Sequence, residues 1–190
     1  IREGAFYNLK NITKVVLHEN INVIEKDVFY GCTGITELTI KCPLNTLSEN
    51  DNKGAIFVGC NSLTKINIYN ETIDTITANL KTNNFIPPSC FSSDESTTDP
   101  LFPLIGQSIT DVNIYGVDII GKRAFFQCLS LINVAFYEHN GKDTSIIEEE
   151  SFSYSAIQNL TLSNKIQVIN DGAFSNLYDL STITFNCNLY

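Results

Sequence analysis

The chain has 190 residues, 43% hydrophobic and 17% charged, enough to bury a core in one domain or one short repeat array. Twelve basic residues stand against twenty-one acidic ones, a net charge of -9. That balance argues against nucleic acid and anionic lipid as partners, because both are bound by basic patches.

The opening segment, IREGAFYNLK, lacks the basic-then-apolar pattern of a leader, and the chain contains no Met. It reads as a fragment excised from a longer protein, so the missing leader says nothing about the parent's location. No run of apolar residues is long enough to span a bilayer.

From there the elements recur. Phe6 is followed eleven residues later by Leu17, Phe29 by Ile40, Phe57 by Ile68, Phe125 by Phe136 and Phe174 by Phe185. Phe152 reaches Leu162 with one residue fewer, and Phe91 reaches Ile114 only across an insertion. Each partner closes an apolar triplet spaced LxxLxL. The copies are Ile12-Val15-Leu17, Ile35-Leu38-Ile40, Leu63-Ile66-Ile68, Ile109-Val112-Ile114, Leu131-Val134-Phe136, Ile157-Leu160-Leu162 and Leu180-Ile183-Phe185. A second apolar mark falls five residues before the Phe, at Ile1, Ile24, Ile120, Ile147 and Ile169. Uninterrupted copies repeat at about 23 residues, inside the leucine-rich-repeat range.

The last two apolar residues of each triplet are two apart, so they point the same way from a strand. One coil cannot bury that face alone; stacked coils turn each column into an interior ladder, with neighbouring strands parallel and in register. The predicted fold is a repeat solenoid of the leucine-rich-repeat type, about seven coils, with a parallel sheet on the concave wall. The IxxxxF half forms the opposite wall as turns, short helices or short strands, between which the five-residue spacing does not decide.

The unit I-x-x-x-A-F-x-x-C-x-x-L-x-x-L-x-L resembles the BspA-like class of leucine-rich repeats. It stands here as IREGAFYNLKNITKVVL, IEKDVFYGCTGITELTI, IGKRAFFQCLSLINVAF and INDGAFSNLYDLSTITF. The resemblance covers nearly the whole chain and implies one domain, 1-190. It also implies a cell-surface or extracellular, adhesin-like role: binding a host or extracellular-matrix protein. An intracellular protein-interaction scaffold is the alternative.

Polar insertions break the period near 48-54 (SENDNKG), across 77-108 (including Pro87-Pro88 and SSDESTTDP) and near 137-145 (YEHNGKDTS). Such insertions map to loops on one face of a solenoid. SENDNKG is a poor calcium loop, since Lys53 stands where an oxygen ligand belongs and Cys60 where the bidentate Glu would be.

Cys32, Cys60 and Cys128 each lie three residues past a column Phe, where Leu9 and Leu177 sit in the outer coils. Exchange with Leu marks a core slot and favours buried free thiols over disulfides. Cys42 and Cys187 share a second slot. No CxxC, no clustered His (His18 and His139 lie in different slots) and no hydrolase, zinc or phosphate-loop motif occurs. Glu148, Glu149 and Glu150 are consecutive and point apart. The chain therefore reads as neither an enzyme nor a holder of metal or cofactor. The sequons at Asn11, Asn70 and Asn159 are about as many as chance supplies, so they carry no weight.

Binding is expected on the outward side of the concave strands. One slot holds Lys14, Glu37, Lys65, Asp111, Asn133, Asn159 and Thr182; the next holds Val16, Thr39, Asn67, Asn113, Ala135, Thr161 and Thr184. The third holds His18, Lys41, Tyr69, Tyr115, Tyr137, Ser163 and Asn186. Tyr69, Tyr115 and Tyr137 should stack about 4.8 Å apart, and Tyr suits interfaces by joining apolar area to a hydroxyl. The expected partner site is Lys65, Asn67, Tyr69, Asp111, Asn113, Tyr115, Asn133 and Tyr137. Thr13, Thr36, Thr64 and Thr110 form a further column that reads as scaffold. Open strands at either end could permit self-association.

Overall fold

The structure, a computed structural model, describes residues 1–21, 23–25, 27–42, 56–69, 85–86, 108–139, 141 and 143–186. Each apolar triplet ends in a strand: β1 (Lys14–Leu17), β2 (Glu37–Ile40), β3 (Lys65–Tyr69), β5 (Asp111–Tyr115), β7 (Asn133–Tyr137), β9 (Asn159–Ser163) and β11 (Thr182–Asn186). Four two-residue strands alternate with them: β4 (Phe85–Ile86), β6 (Ile119–Ile120), β8 (Ile146–Ile147) and β10 (Val168–Ile169). The long strands form one parallel sheet in the order β1-β2-β3-β5-β7-β9-β11, and the short ones a second in the order β10-β8-β6-β4. No helix occurs among the described residues.

Register follows the triplets. Leu38, Ile66, Val112 and Val134 stand side by side across β2, β3, β5 and β7, and all are buried. The Phe column fills the space between the walls: Phe6–Phe29–Phe57 and Phe125–Phe152–Phe174 stack with ring centroids 4.9–5.3 Å apart. Ile120 and Ile147, the marks before the Phe, sit fully buried in the short sheet. Ile86 joins them in register with Ile120. It lies five residues before Phe91 and completes the column that the sequence leaves open in the interrupted coil.

Turns make the third side of each coil. The residues two before the column Phe, Gly4, Asp27, Arg123, Glu150 and Gly172, all have positive φ; so do those two after it, Asn8, Gly31, Gly59, Gln127, Tyr154 and Asn176. This pair of left-handed residues bends the chain around the Phe while leaving its amide free to reach the next coil. Phe6 N thus donates to Val28 O (2.9 Å), Phe29 N to Ile56 O (2.9 Å), Phe125 N to Ser151 O (2.7 Å) and Phe152 N to Ala173 O (2.8 Å). The opposite wall is therefore turns plus short strands, bonded coil to coil like the sheets.

The Cys slot does more than fill space. Cys32 Sγ donates to Phe6 O (3.0 Å) and Cys60 Sγ to Phe29 O (3.2 Å), each a carbonyl of the preceding coil. Ser155, in the same slot, donates to Phe125 O at 2.7 Å. The four described cysteines, Cys32, Cys42, Cys60 and Cys128, are buried free thiols. Burial, followed by the neighbouring Cys32, pushes the Cys60 thiol up to about 12.

The Thr column is bonded the same way, Thr36 donating to Thr13 O (3.1 Å) and Thr64 to Thr36 O (3.4 Å) of the coil before, while the one proton of Thr110 is shared between Thr64 O (3.2 Å) and Asp111 Oδ2 (2.6 Å). The consecutive glutamates serve the turn wall: Lys122 pairs with Glu149 (2.8 Å), Arg123 with Glu150 (2.9 Å), and Glu148 accepts from Lys122 N (2.8 Å). At the first and last coils the column residues lose one neighbour, and Phe6, Leu9, Ile183 and Phe185 are exposed. The insertion at 48-54 lies outside the described residues, as does most of 77-108.

Candidate functional site

Alternation along a strand sends the residues between and beyond each buried pair to the outer face of the long sheet. These are Lys65, Asn67 and Tyr69 on β3, Asp111, Asn113 and Tyr115 on β5, and Asn133, Ala135 and Tyr137 on β7. Pairing aligns them into rows: Lys65, Asp111, Asn133; then Asn67, Asn113, Ala135; then Tyr69, Tyr115, Tyr137. All eight residues of the expected partner site fall on this one three-strand patch.

The tyrosines stack as the strand spacing requires. Tyr69 and Tyr115 lie 4.2 Å apart between centroids and 1° from parallel; Tyr115 and Tyr137 lie 4.8 Å and 16° apart. Lys41 Nζ sits 5.1 Å from the Tyr69 ring centre, within cation–π range. His139, from the loop after β7, meets Tyr69 edge-on at 5.2 Å. Burial pushes the Tyr115 phenol up to about 12, with Tyr69, Tyr137 and Glu37 adding to the effect. Tyr115 therefore stays neutral at ordinary pH.

Beside it run two hydrogen-bonded rails of side chains. In one, Asn159 Nδ2 donates to Asn133 Oδ1 (2.9 Å) and Asn133 Nδ2 to Asp111 Oδ1 (2.7 Å). In the other, Asn113 Nδ2 donates to Asn67 Oδ1 (3.0 Å) and Asn67 Nδ2 to Glu37 Oε1 (2.9 Å). Each rail ends on a carboxylate. An ionised carboxylate only accepts, so the amide beside it must present its NH2 group, and every amide behind is oriented in turn. The face is thereby preorganised.

Charge is sparse and mostly spent. Glu37 also pairs with Lys14 (3.1 Å). Asp111 stands opposite Lys65 in the register, yet its oxygens go to Asn133 and to the Thr110 hydroxyl (2.6 Å). Lys65 is exposed and makes no ion pair with a described residue. Asn67, though on the outer face, is only 6% exposed and acts as a rail member rather than a contact.

Four residues belong to the patch that the expected set omitted: Glu37 and Asn159 as rail members, Lys41 and His139 beside Tyr69. The first three stand in the same columns as the chosen residues and differ only in neighbouring coil. His139 follows no column, and nothing in the sequence points to it. Among the described residues no group of His, Cys, Asp or Glu is arranged to hold a metal ion, and no helix is long and apolar enough to cross a membrane.

Comparison with known proteins gives a match to the family described as BspA type Leucine rich repeat region, in six copies over residues 1–110 and 84–190. No curated protein matches the chain. Among solved structures, a leucine rich cell surface protein from Faecalibacterium prausnitzii A2-165 is similar at 22% identity and a TM-score of 0.39. That similarity covers 98% of this chain and 42% of the other, so the chain spans less than half of that protein's length.

Proposed function

As this chain belongs to the BspA-type leucine-rich-repeat family, we propose that it is a protein-recognition module of a cell-surface, adhesin-like protein. Repeats of this kind generally bind proteins; the host or matrix partner and the surface location are our reading for this chain. The single observation that carries it is the stacked row Tyr69, Tyr115 and Tyr137 on the outer face of the long sheet. Three rigid phenols, flanked by amides already oriented, offer contact area with little side-chain entropy left to lose. The same row also stabilises the sheet by cross-strand packing, so the test has to separate the two roles.

The experiment is a pull-down of extracellular-matrix and host-surface proteins on the chain and on a variant with all three tyrosines changed to Ser. Circular dichroism checks that the variant keeps its strands. Capture lost by a folded variant supports the reading; capture retained by it sinks the long-sheet face as the site. A second reading, an intracellular docking scaffold, draws on the four free thiols, which a reducing compartment would preserve. A leader or surface anchor in the parent protein decides against it.

A further inference from the structure

The outer face of the long sheet changes character along its length. Its basic side chains, Lys14, Lys41 and Lys65, stand on β1 and β3 and just past β2. From β5 to β9 the outward residues are Asp111, Asn113, Tyr115, Asn133, Ala135, Tyr137, Asn159, Thr161 and Ser163: amides, hydroxyls, phenols, one methyl and one carboxylate. Lys165, just beyond β9, is held by Glu138 at 2.8 Å. This half of the face is polar and close to neutral.

Three features meet around Ala135. Asn113 spends its Nδ2 on Asn67, and its Oδ1 accepts no hydrogen bond from a described residue. The register sets Ala135 on its other side, where a methyl group cannot donate. Among the described residues Tyr137 stacks on Tyr115 alone, through one ring face, and it is 41% exposed. The pairing of β7 with β9 stops at Ala135 and Thr161, so no strand partner faces Tyr137, although β9 and β11 stay paired through Ser163 and Asn186. The sheet splits where the tyrosine row ends. Finally, Asn133 and Asn159 each use one of two N–H groups in their rail, and Asn159 Oδ1 accepts nothing from a described residue. Ala135 is thus a low floor ringed by Asn113, Thr161, Asn133 and Tyr137. The opening is roughly two strand spacings by four residue rises, about 10 by 13 Å.

We infer that this recess binds a neutral sugar ring of a glycan, Tyr137 covering one face of the ring while Asn113, Asn133 and Asn159 bond its hydroxyls. The inference rests on the outer face of the long sheet being the binding surface, and it names the chemistry that face takes: a glycan carried by the partner. A pyranose has an apolar C–H face and a rim of hydroxyls that each donate and accept. The free ring face matches the first, and amides showing one donor and one acceptor match the second. An anionic sugar fits poorly, because Asp111 is adjacent and the ammonium of Lys165 is already paired. An extended peptide docks by pairing along an open strand edge, and the edge left open here beyond Ala135 is only the two residues Phe136 and Tyr137.

Saturation-transfer NMR and titration calorimetry test it with lactose, N-acetyllactosamine, chitotriose, cellotriose and mannotriose as probes, and a heparin tetrasaccharide as the sulfated control. At least one neutral probe should bind, and Ala135→Leu, which fills the recess without removing a rail residue, should weaken it by tenfold or more. Tyr137→Ser should do the same, while any heparin signal is indifferent to both. No neutral probe bound at millimolar concentration, or binding unchanged in Ala135→Leu, overturns the proposal. Enzymatic deglycosylation of a captured protein partner separates the two levels. Capture that survives deglycosylation but is lost in the triple Tyr-to-Ser variant refutes the glycan and keeps the face. Capture that survives in the triple variant refutes the face itself.

Discussion

Ser155 shows what the slot three residues past the column Phe is for. It accepts from Cys128 N (3.3 Å) and donates to Phe125 O (2.7 Å), tying two consecutive turns of backbone together. Cys32 and Cys60 make the same donation more weakly, as thiols do. Read from the sequence, Cys exchanging with Leu looks like a purely apolar slot. The carbonyl it serves belongs to another coil, and no pattern along the chain betrays it. The consequence is measurable at high pH. The unfolded chain gives up the Cys60 proton near 9.0, whereas the folded chain holds it to about 12. Above pH 9 the unfolded state thus binds fewer protons, and stability falls as pH rises through that window. Urea midpoints should be level for this group below pH 9 and decline towards pH 11, with part of the decline gone in Cys60→Ser. An identical decline in the variant would clear Cys60 of the role. Thiolates, not thiols, are the nucleophiles, so Cys60 should also resist alkylation until the chain unfolds.

At the scale of the element, the strands were legible and the turns were not. Each LxxLxL triplet names its strand, since period-two burial leaves one register in which Val15, Leu38, Ile66 and Val112 share an interior. The turn wall had its own signal in Gly4, Asn8, Asp27, Gly31, Gly59, Gly172 and Asn176, residue types suited to positive φ at two before and two after the Phe. That signal is diluted because Arg123, Gln127, Glu150 and Tyr154 take the same conformation in other coils. A glycine of the turn column is constrained more than one in an inserted loop. A Cβ on Gly59 (φ 80°) would meet Gly31 Cα at 3.2 Å, whereas one on Gly141 (φ 71°) would meet nothing within 4 Å. Both substitutions to Ala cost about 1–2 kcal/mol for the left-handed backbone, and only Gly59→Ala adds crowding, about 1 kcal/mol or more. Urea denaturation of the two variants decides this, and equal losses would remove the close approach of the two turns as a constraint.

Seen whole, the molecule is a one-dimensional stack in which each coil packs mainly on its neighbours, His139 reaching past one coil to Tyr69. Damage should therefore stay local. Phe125 is fully buried and stacks on Phe152 at 4.9 Å, so Phe125→Ala should cost about 3–5 kcal/mol. Hydrogen exchange should show the loss around β6 to β8 while β1 and β2 keep their protection; uniform loss across all strands would mean that the array unfolds as one unit. The candidate face shares this logic. Its columns could be read from the repeat because they need only the period, but the polarity of the amide rails could not. That polarity is set by Glu37 and Asp111 at the ends, and knowing it requires knowing which coil lies beside which.

The interrupted coil carries one more consequence, in the entropy of closing the chain. Asn133 and Asp111 bond across 22 residues of sequence, whereas Asn113 and Asn67 bond across 46, yet β3 pairs with β5 over five residues as fully as β5 pairs with β7. Doubling a loop costs about 0.6 kcal/mol, less than one typical hydrogen bond contributes at about 1 kcal/mol. Contour length between strands is therefore nearly free, while a shift of one residue in register would turn Asn113 inward and Ile114 out. The array counts strands rather than residues, and a coil can lengthen without its neighbours on the sheet registering the change.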